Sequence, residues 1–94
     1  METVSLIAEG SRLLINADLG DGGVLQVAVV RAEAGVAFQG LVREESRLVP
    51  AGDEASTWSE VTWAAGHFRV VRGEVVRLRF HLSGAARLYG FQIA

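Results

Sequence analysis

VVRLRFHLSGAARLYGFQIA, residues 75–94, decides the fold class. Val76, Leu78, Phe80 and Leu82 alternate with Arg77, Arg79 and His81, so an extended strand sends the first set to a core and the second outward. After the Ser-Gly-Ala turn at 83–85, Tyr89, Phe91 and Ile93 repeat the pattern, and the two runs read as a hairpin that fills a core.

The same period of two recurs upstream. TWSEVTW (residues 57–63) places Ser59, Val61 and Trp63 on one side and Trp58, Glu60 and Thr62 on the other, where the polar company marks the wet face. Short strands are expected at residues 3–8 and 12–16. LGDGG (residues 19–23) supplies a turn, and VLQVAVVRA (residues 24–32) runs back from it as the second arm of a hairpin. In that arm Leu25, Val27 and Val29 share one face. Gln26, Ala28 and Val30 share the other, which is apolar enough to call for cover by a partner chain or neighbouring domain. QGLVREESRLVPAGDEAS (residues 39–56) reads as a long connection with one edge strand at its RLV, ahead of Pro50. Phe68 and Val71, three apart before Gly73, suit at most one short helical turn near 66–72. Short strands with long cross-connections and two apolar faces to match predict an all-β, two-sheet antiparallel sandwich of jelly-roll-like type, spanning residues 1–94 as one domain.

Composition narrows the function classes. With 50% apolar and 21% charged residues and a single proline, the chain has the make-up of a folded globule. It contains no cysteine, which removes disulfides, thiolate metal sites and cysteine nucleophiles. The net charge is −2 and the nine basic residues, all arginine, are dispersed from Arg12 to Arg87, so nucleic acid is not an expected partner. Neither is a membrane: no apolar run approaches the ~20 residues of a spanning helix, and METVSLIAEG lacks the pattern of a signal peptide.

The chain carries few residues in patterns that chemistry requires. Gly20-Asp-Gly-Gly leads into a strand rather than a helix and reads as a turn, not a phosphate loop. His67 and His81 lack a third ligand at metal spacing, and no serine occupies a nucleophile elbow. Asp18, Asp21, Glu44, Glu45, Asp53 and Glu54 gather in loops where structural calcium is conceivable, but no calcium-loop motif supports it, so no cofactor is expected. A glycosidase carboxylate pair would need a cleft for which a chain of this size has little room, and the expectation is a non-enzyme. Trp63, Phe80, Tyr89 and Phe91 read as core. Trp58 falls on the wet side with Glu60. There a flat indole could stack on a sugar ring while Glu60 takes hydroxyls, with Arg77, Arg79 and His81 adding to the site if the strands adjoin; equally, it could cover a sheet edge or meet another domain.

GSRLLINAD, GGVLQVAVVRAEAGVAFQG, DEASTWSEVTW and RGEVVRLRFHLSGAARLYGFQIA resemble, in that order, the small C-terminal β-sandwich of bacterial glycoside hydrolase-like and sialidase-like proteins. The likeness is carried by Val61, Trp63, Val76 to Phe80 and Leu88 to Phe91. It implies a non-catalytic accessory domain that helps hold carbohydrate beside a catalytic domain, in an extracellular setting. The rival expectation is a docking or homo-oligomerising module that uses the Ala28 and Val30 face.

Overall fold

A computed structural model describes residues 2–50 and 58–94. The strands are β1 (Leu6–Ile7), β2 (Leu13–Asp18), β3 (Val24–Arg31), β4 (Ser46–Pro50), β5 (Trp58–Trp63), β6 (Val75–Ser83) and β7 (Arg87–Ile93). They form two antiparallel sheets, one of three strands ordered β1-β6-β3 and one of four ordered β4-β5-β2-β7. The expected sandwich is therefore present, with the edge strand before Pro50 in place as β4.

Its connections differ from the expected ones. β2 and β3 are not a hairpin, and neither are β6 and β7, because the members of each pair lie in different sheets. Instead β3 pairs with β6 from Val24↔Ser83 to Arg31↔Val76, and β2 pairs with β7 from Leu13↔Ile93 to Asp18↔Arg87. Residues 13–31 and 76–93 thus make one long antiparallel ribbon, folded from one sheet into the other at the turns 19–23 and 84–86. Its corner is tight: a Cβ on Gly23 would stand 1.8 Å from the Leu19 carbonyl oxygen and 2.7 Å from Ala86 N, so the two turns cross at a distance only glycine allows. Glycine-rich turns serve arches between sheets as well as hairpins, which is why composition did not separate the two.

The core lies where the alternation puts it. Leu13 and Ile15 of β2, Leu25, Val27 and Val29 of β3, Val61 and Trp63 of β5, and Val76, Leu78 and Phe80 of β6 are buried between the sheets. Full burial of such side chains is worth about 1.5–3 kcal/mol each. Trp63 also ties the sheets together, its Nε1–H donating to the Val27 carbonyl at 3.0 Å. Beside it the expected helical turn appears as a 3-10 helix at Phe68–Val71, which inserts both named residues into the core. His67 Nδ1 accepts from Arg69 N at its start, and Gly73, at φ 88°, ends the segment with its N–H on the Ala8 carbonyl. A second 3-10 turn, Arg43–Glu45, lies in the region read as plain connection.

Of the four aromatic residues expected in the core, Tyr89 and Phe91 are exposed. On β7 the register slips between Asn16↔Gly90 and Ala17↔Leu88, which leaves Tyr89 as the extra residue of a bulge. Ile93 and Leu88 pack against the core, Tyr89 is 63% exposed, and Phe91, opposite Ile15 on the core side, has its ring centroid 5.9 Å from that of Phe80 but lies at the sheet edge with 37% of its surface exposed. A bulge shifts the facing of every residue on one side of it, and period-two reasoning has no signal for it.

Candidate functional site

β5 places Trp58 and Glu60 on the outer face of the four-stranded sheet, as the alternation predicts. Trp58 is half-buried and pairs across β2 with Asn16, which pairs in turn with Gly90 of β7. The neighbouring row runs Val49, Glu60, Leu14, Gln92. Cross-strand partners share a face, so these side chains form one surface about three strand spacings wide, each spacing ~4.8 Å. Gly90 leaves a step in it: nothing lies within 4 Å of where its Cβ would stand, and its backbone is not in the left-handed region. Arg12 reaches over the face to Glu60, with Nη2 at 2.9 Å and Nε at 3.0 Å from the same carboxylate oxygen. The surface therefore combines an indole with a carboxylate, two amides and a guanidinium.

Arg77, Arg79 and His81 stand on the outer face of the other sheet. β5 and β6 do not adjoin, and the core separates the two groups by the ~10 Å of a sandwich. The five residues are not one site. Arg77 and Arg79 are held instead by Glu2, whose Oε1 is 2.8 Å from Arg77 Nη1 and whose Oε2 is 2.9 Å from Arg79 Nε. The hydrogen bond from Arg79, with the charges of both arginines, keeps the Glu2 carboxyl below the ordinary carboxylate range. The turn at 32–35 closes over the same network, the Gly35 carbonyl accepting from Arg79 Nη2 at 3.4 Å. Arg77 Nε is buried with no partner among the described residues.

Beneath this network lie Ala28 and Val30, the cross-strand neighbours of Arg79 and Arg77, at 5% and 0% exposure. The face expected to need a partner chain is covered by the chain's own Arg stems, N-terminal segment and loop. His81 has a different neighbour. Arg43 Nη1 lies 2.9 Å from its Nδ1, and burial, then the positive charge of Arg43, lowers its pKa from the usual value.

The described carboxylates among those considered for calcium do not gather into a metal-binding group. Among the described residues no group of three His, Cys, Asp or Glu side chains could hold a metal ion. Asp18 Oδ1 accepts from Gly20 N at 2.9 Å and Glu44 pairs with Arg43, while Asp53 and Glu54 lie outside the described residues. No described helix is long and apolar enough to cross a membrane.

Sequence reasoning missed Asn16, Gly90 and Gln92 as neighbours of Trp58, and Glu2 and Arg43 as partners of the β6 side chains. Asn16 had a local signal, a polar side chain inside the apolar run LLINAD, whereas Glu2 and Arg79 lie 77 positions apart. No family model, curated protein or solved structure matches the chain, so the resemblance to accessory sandwiches rests on the order and spacing of its own residues.

Proposed function

We propose that this chain is a non-catalytic β-sandwich module that holds a carbohydrate chain across the outer face of the four-stranded sheet. The observation that carries the reading is the row Trp58, Asn16, Gly90, with Glu60 and Gln92 in the row beside it. An indole offers an apolar face to the C–H side of a sugar ring, and carboxylate and amide groups around it match ring hydroxyls. The open step at Gly90 gives a linear chain room to lie flat. Glu60, Asn16 and Gln92 take the hydroxyls, Trp58 takes the ring, and Arg12 fixes Glu60. The resemblance to glycoside hydrolase accessory domains points the same way and supplies the expected neighbour, a catalytic domain. Calorimetric titration of the purified chain against a panel of polysaccharides tests this: a saturable heat that disappears in Trp58→Ala supports it, and a flat response across the panel removes it.

A second reading, self-association, is favoured by the edge of β7. Arg12 and Ala94 exchange both backbone hydrogen bonds, at 3.0 and 2.9 Å. Alternation then turns the N–H and C=O groups of Phe91 and Ile93 away from β2, along the sheet edge. Tyr89 and Phe91, 63% and 37% exposed, line a groove of about 270 Å³ between this edge and residues Glu2 and Thr3. An uncovered edge with apolar flanks is a template for a second copy. Sedimentation as a monomer up to the highest soluble concentration removes this reading; dimers lost in Phe91→Lys support it.

A further inference from the structure

The outer face of the three-stranded sheet holds a second feature, beside the Glu2 network. The turn Arg43–Glu45 overhangs β6 and leaves a hollow of about 420 Å³ lined by Gln26, Arg43, Phe80, His81, Leu82 and Ser83. Its polar groups come from three elements. Gln26 and His81 are direct partners across β3 and β6, and Ser83, two positions beyond His81, shares their face. Arg43 enters from the turn, whose position is fixed on β3: Ser46 Oγ donates to the Arg43 carbonyl at 2.8 Å and accepts from Val27 N at 3.0 Å.

The hydrogen-bond pattern sets what the hollow presents. A guanidinium has no acceptor, so in the 2.9 Å contact Arg43 Nη1 donates and His81 Nδ1 accepts. The imidazole is therefore neutral, with its proton on Nε2. Arg43 also pairs with Glu44, Nε to Oε1 at 3.2 Å, but the two side chains are 47% and 68% exposed, and water screens such a pair. What remains is one permanent cation with imidazole, amide and hydroxyl donors around a single space.

We propose that this hollow binds an oxyanion, the carboxylate or phosphate group of a small molecule, with Arg43 as the charged partner and Gln26, His81 and Ser83 as donors. A guanidinium fork matches either group in shape. Binding is coupled to a proton. An anion beside His81 favours the imidazolium, whose protonated Nδ1 no longer accepts from Arg43 and so releases Nη1 to the anion, and affinity rises as pH falls through the His81 range. The charged groups around His81 are Arg43 and Glu44 from the turn and Arg79 from its own strand; β3 contributes the neutral Gln26.

The test is an NMR titration of the full chain with inorganic phosphate and, separately, acetate, against chloride at equal ionic strength. The expected result is a saturable shift at Gln26, His81 and Ser83, weakened about tenfold or more in Arg43→Gln, the loss expected for a charged hydrogen-bond donor. Arg43→Lys keeps the charge and loses the fork, and binding should fall between the two. Tighter phosphate than acetate assigns the site to phosphate groups, and the reverse assigns it to carboxylates. Acetate reads the proton coupling: its affinity should rise as pH falls toward and below 6.5, the value from which the His81 pKa is lowered, and His81→Gln should flatten that rise. Shifts linear in concentration, or equal affinity in Arg43→Gln with an otherwise unchanged spectrum, overturn the site. The hollow and the Trp58 surface are on opposite faces, so failure here leaves the carbohydrate reading intact.

Discussion

The two outer faces of the sandwich start from the same kind of sequence and end differently. On β6, Arg77 and Arg79 alternate with core residues, and on β5, Trp58 and Glu60 do the same. The first pair is occupied within the molecule, tied to Glu2 and Gly35 and laid over Ala28 and Val30. The second stands on a sheet where Asn16, Gly90 and Gln92 continue the surface and Arg12 bridges to Glu60. Alternation assigns a side chain to a side of its strand. What covers that side is decided by segments far away in the chain, here Glu2, Thr3 and Gly35.

That contrast can be attacked in order of expected effect. The largest should come from placing the same polar group on each outer face. Val30→Asn buries an amide where exposure is 0%, at a cost of about 3 kcal/mol, whereas Leu14→Asn, half-buried on the other sheet, should cost about 1 kcal/mol. Urea unfolding of the two variants reads the difference directly, and equal costs would mean that both faces are open. Gly90→Arg comes next: it fills the step beside Asn16 and should abolish polysaccharide binding while moving stability by less than about 0.5 kcal/mol. If binding survives, the chain of sugars does not cross β7.

Smaller effects follow from the ionisable groups. Glu2→Gln removes the carboxylate shared by two arginines, and the unfolding midpoint should fall by an amount that shrinks as salt is added. Because the folded-state pKa of Glu2 is lowered, its contribution is present above the unfolded value near 4.5 and is lost as pH falls through the folded one. Glu2→Gln should therefore lose less stability than the parent on acidification below that range. His81 is the smallest case. Its pKa is also lowered, so the neutral form contributes stability fully above the unfolded value of 6.5, and this is lost as pH falls toward the folded value. A His81→Gln variant should show a flatter midpoint across that window, and an identical profile would place His81 in solvent.

The legible part of the fold was the facing of strands. WSEVTW and VVRLRFHLS obey the period of two, and Val61, Trp63, Val76, Leu78 and Phe80 are buried as that period demands. Partnership between strands was not legible. Gly20 to Gly23 and Ser83 to Ala85 have turn chemistry that fits an arch as well as a hairpin, and the choice rests on the apolar inner faces meeting across the sandwich. Tyr89 was misplaced because a bulge is created by pairing with β2, not by the residues of β7 alone. Of the candidate site, the facing of Trp58 and Glu60 followed from local pattern. Their neighbours Asn16 and Gly90 required the sheet order, and the separation of Arg77, Arg79 and His81 from them required knowing that β5 and β6 belong to different sheets.

The folded ribbon has a consequence for how the chain reaches its structure during synthesis. Leu13 finds its neighbour only when Ile93 is available, and Val24 only when Ser83 is. Among the described strands, β4 and β5 alone are consecutive and paired in one sheet. A topology dominated by such distant pairings folds slowly, on the order of milliseconds to seconds, because loop closure precedes the contacts that repay it. On the ribosome, then, the sandwich cannot close until its last strand has left the exit tunnel, and β2 and β3 wait with their apolar faces bare for nearly the whole time the domain is being made.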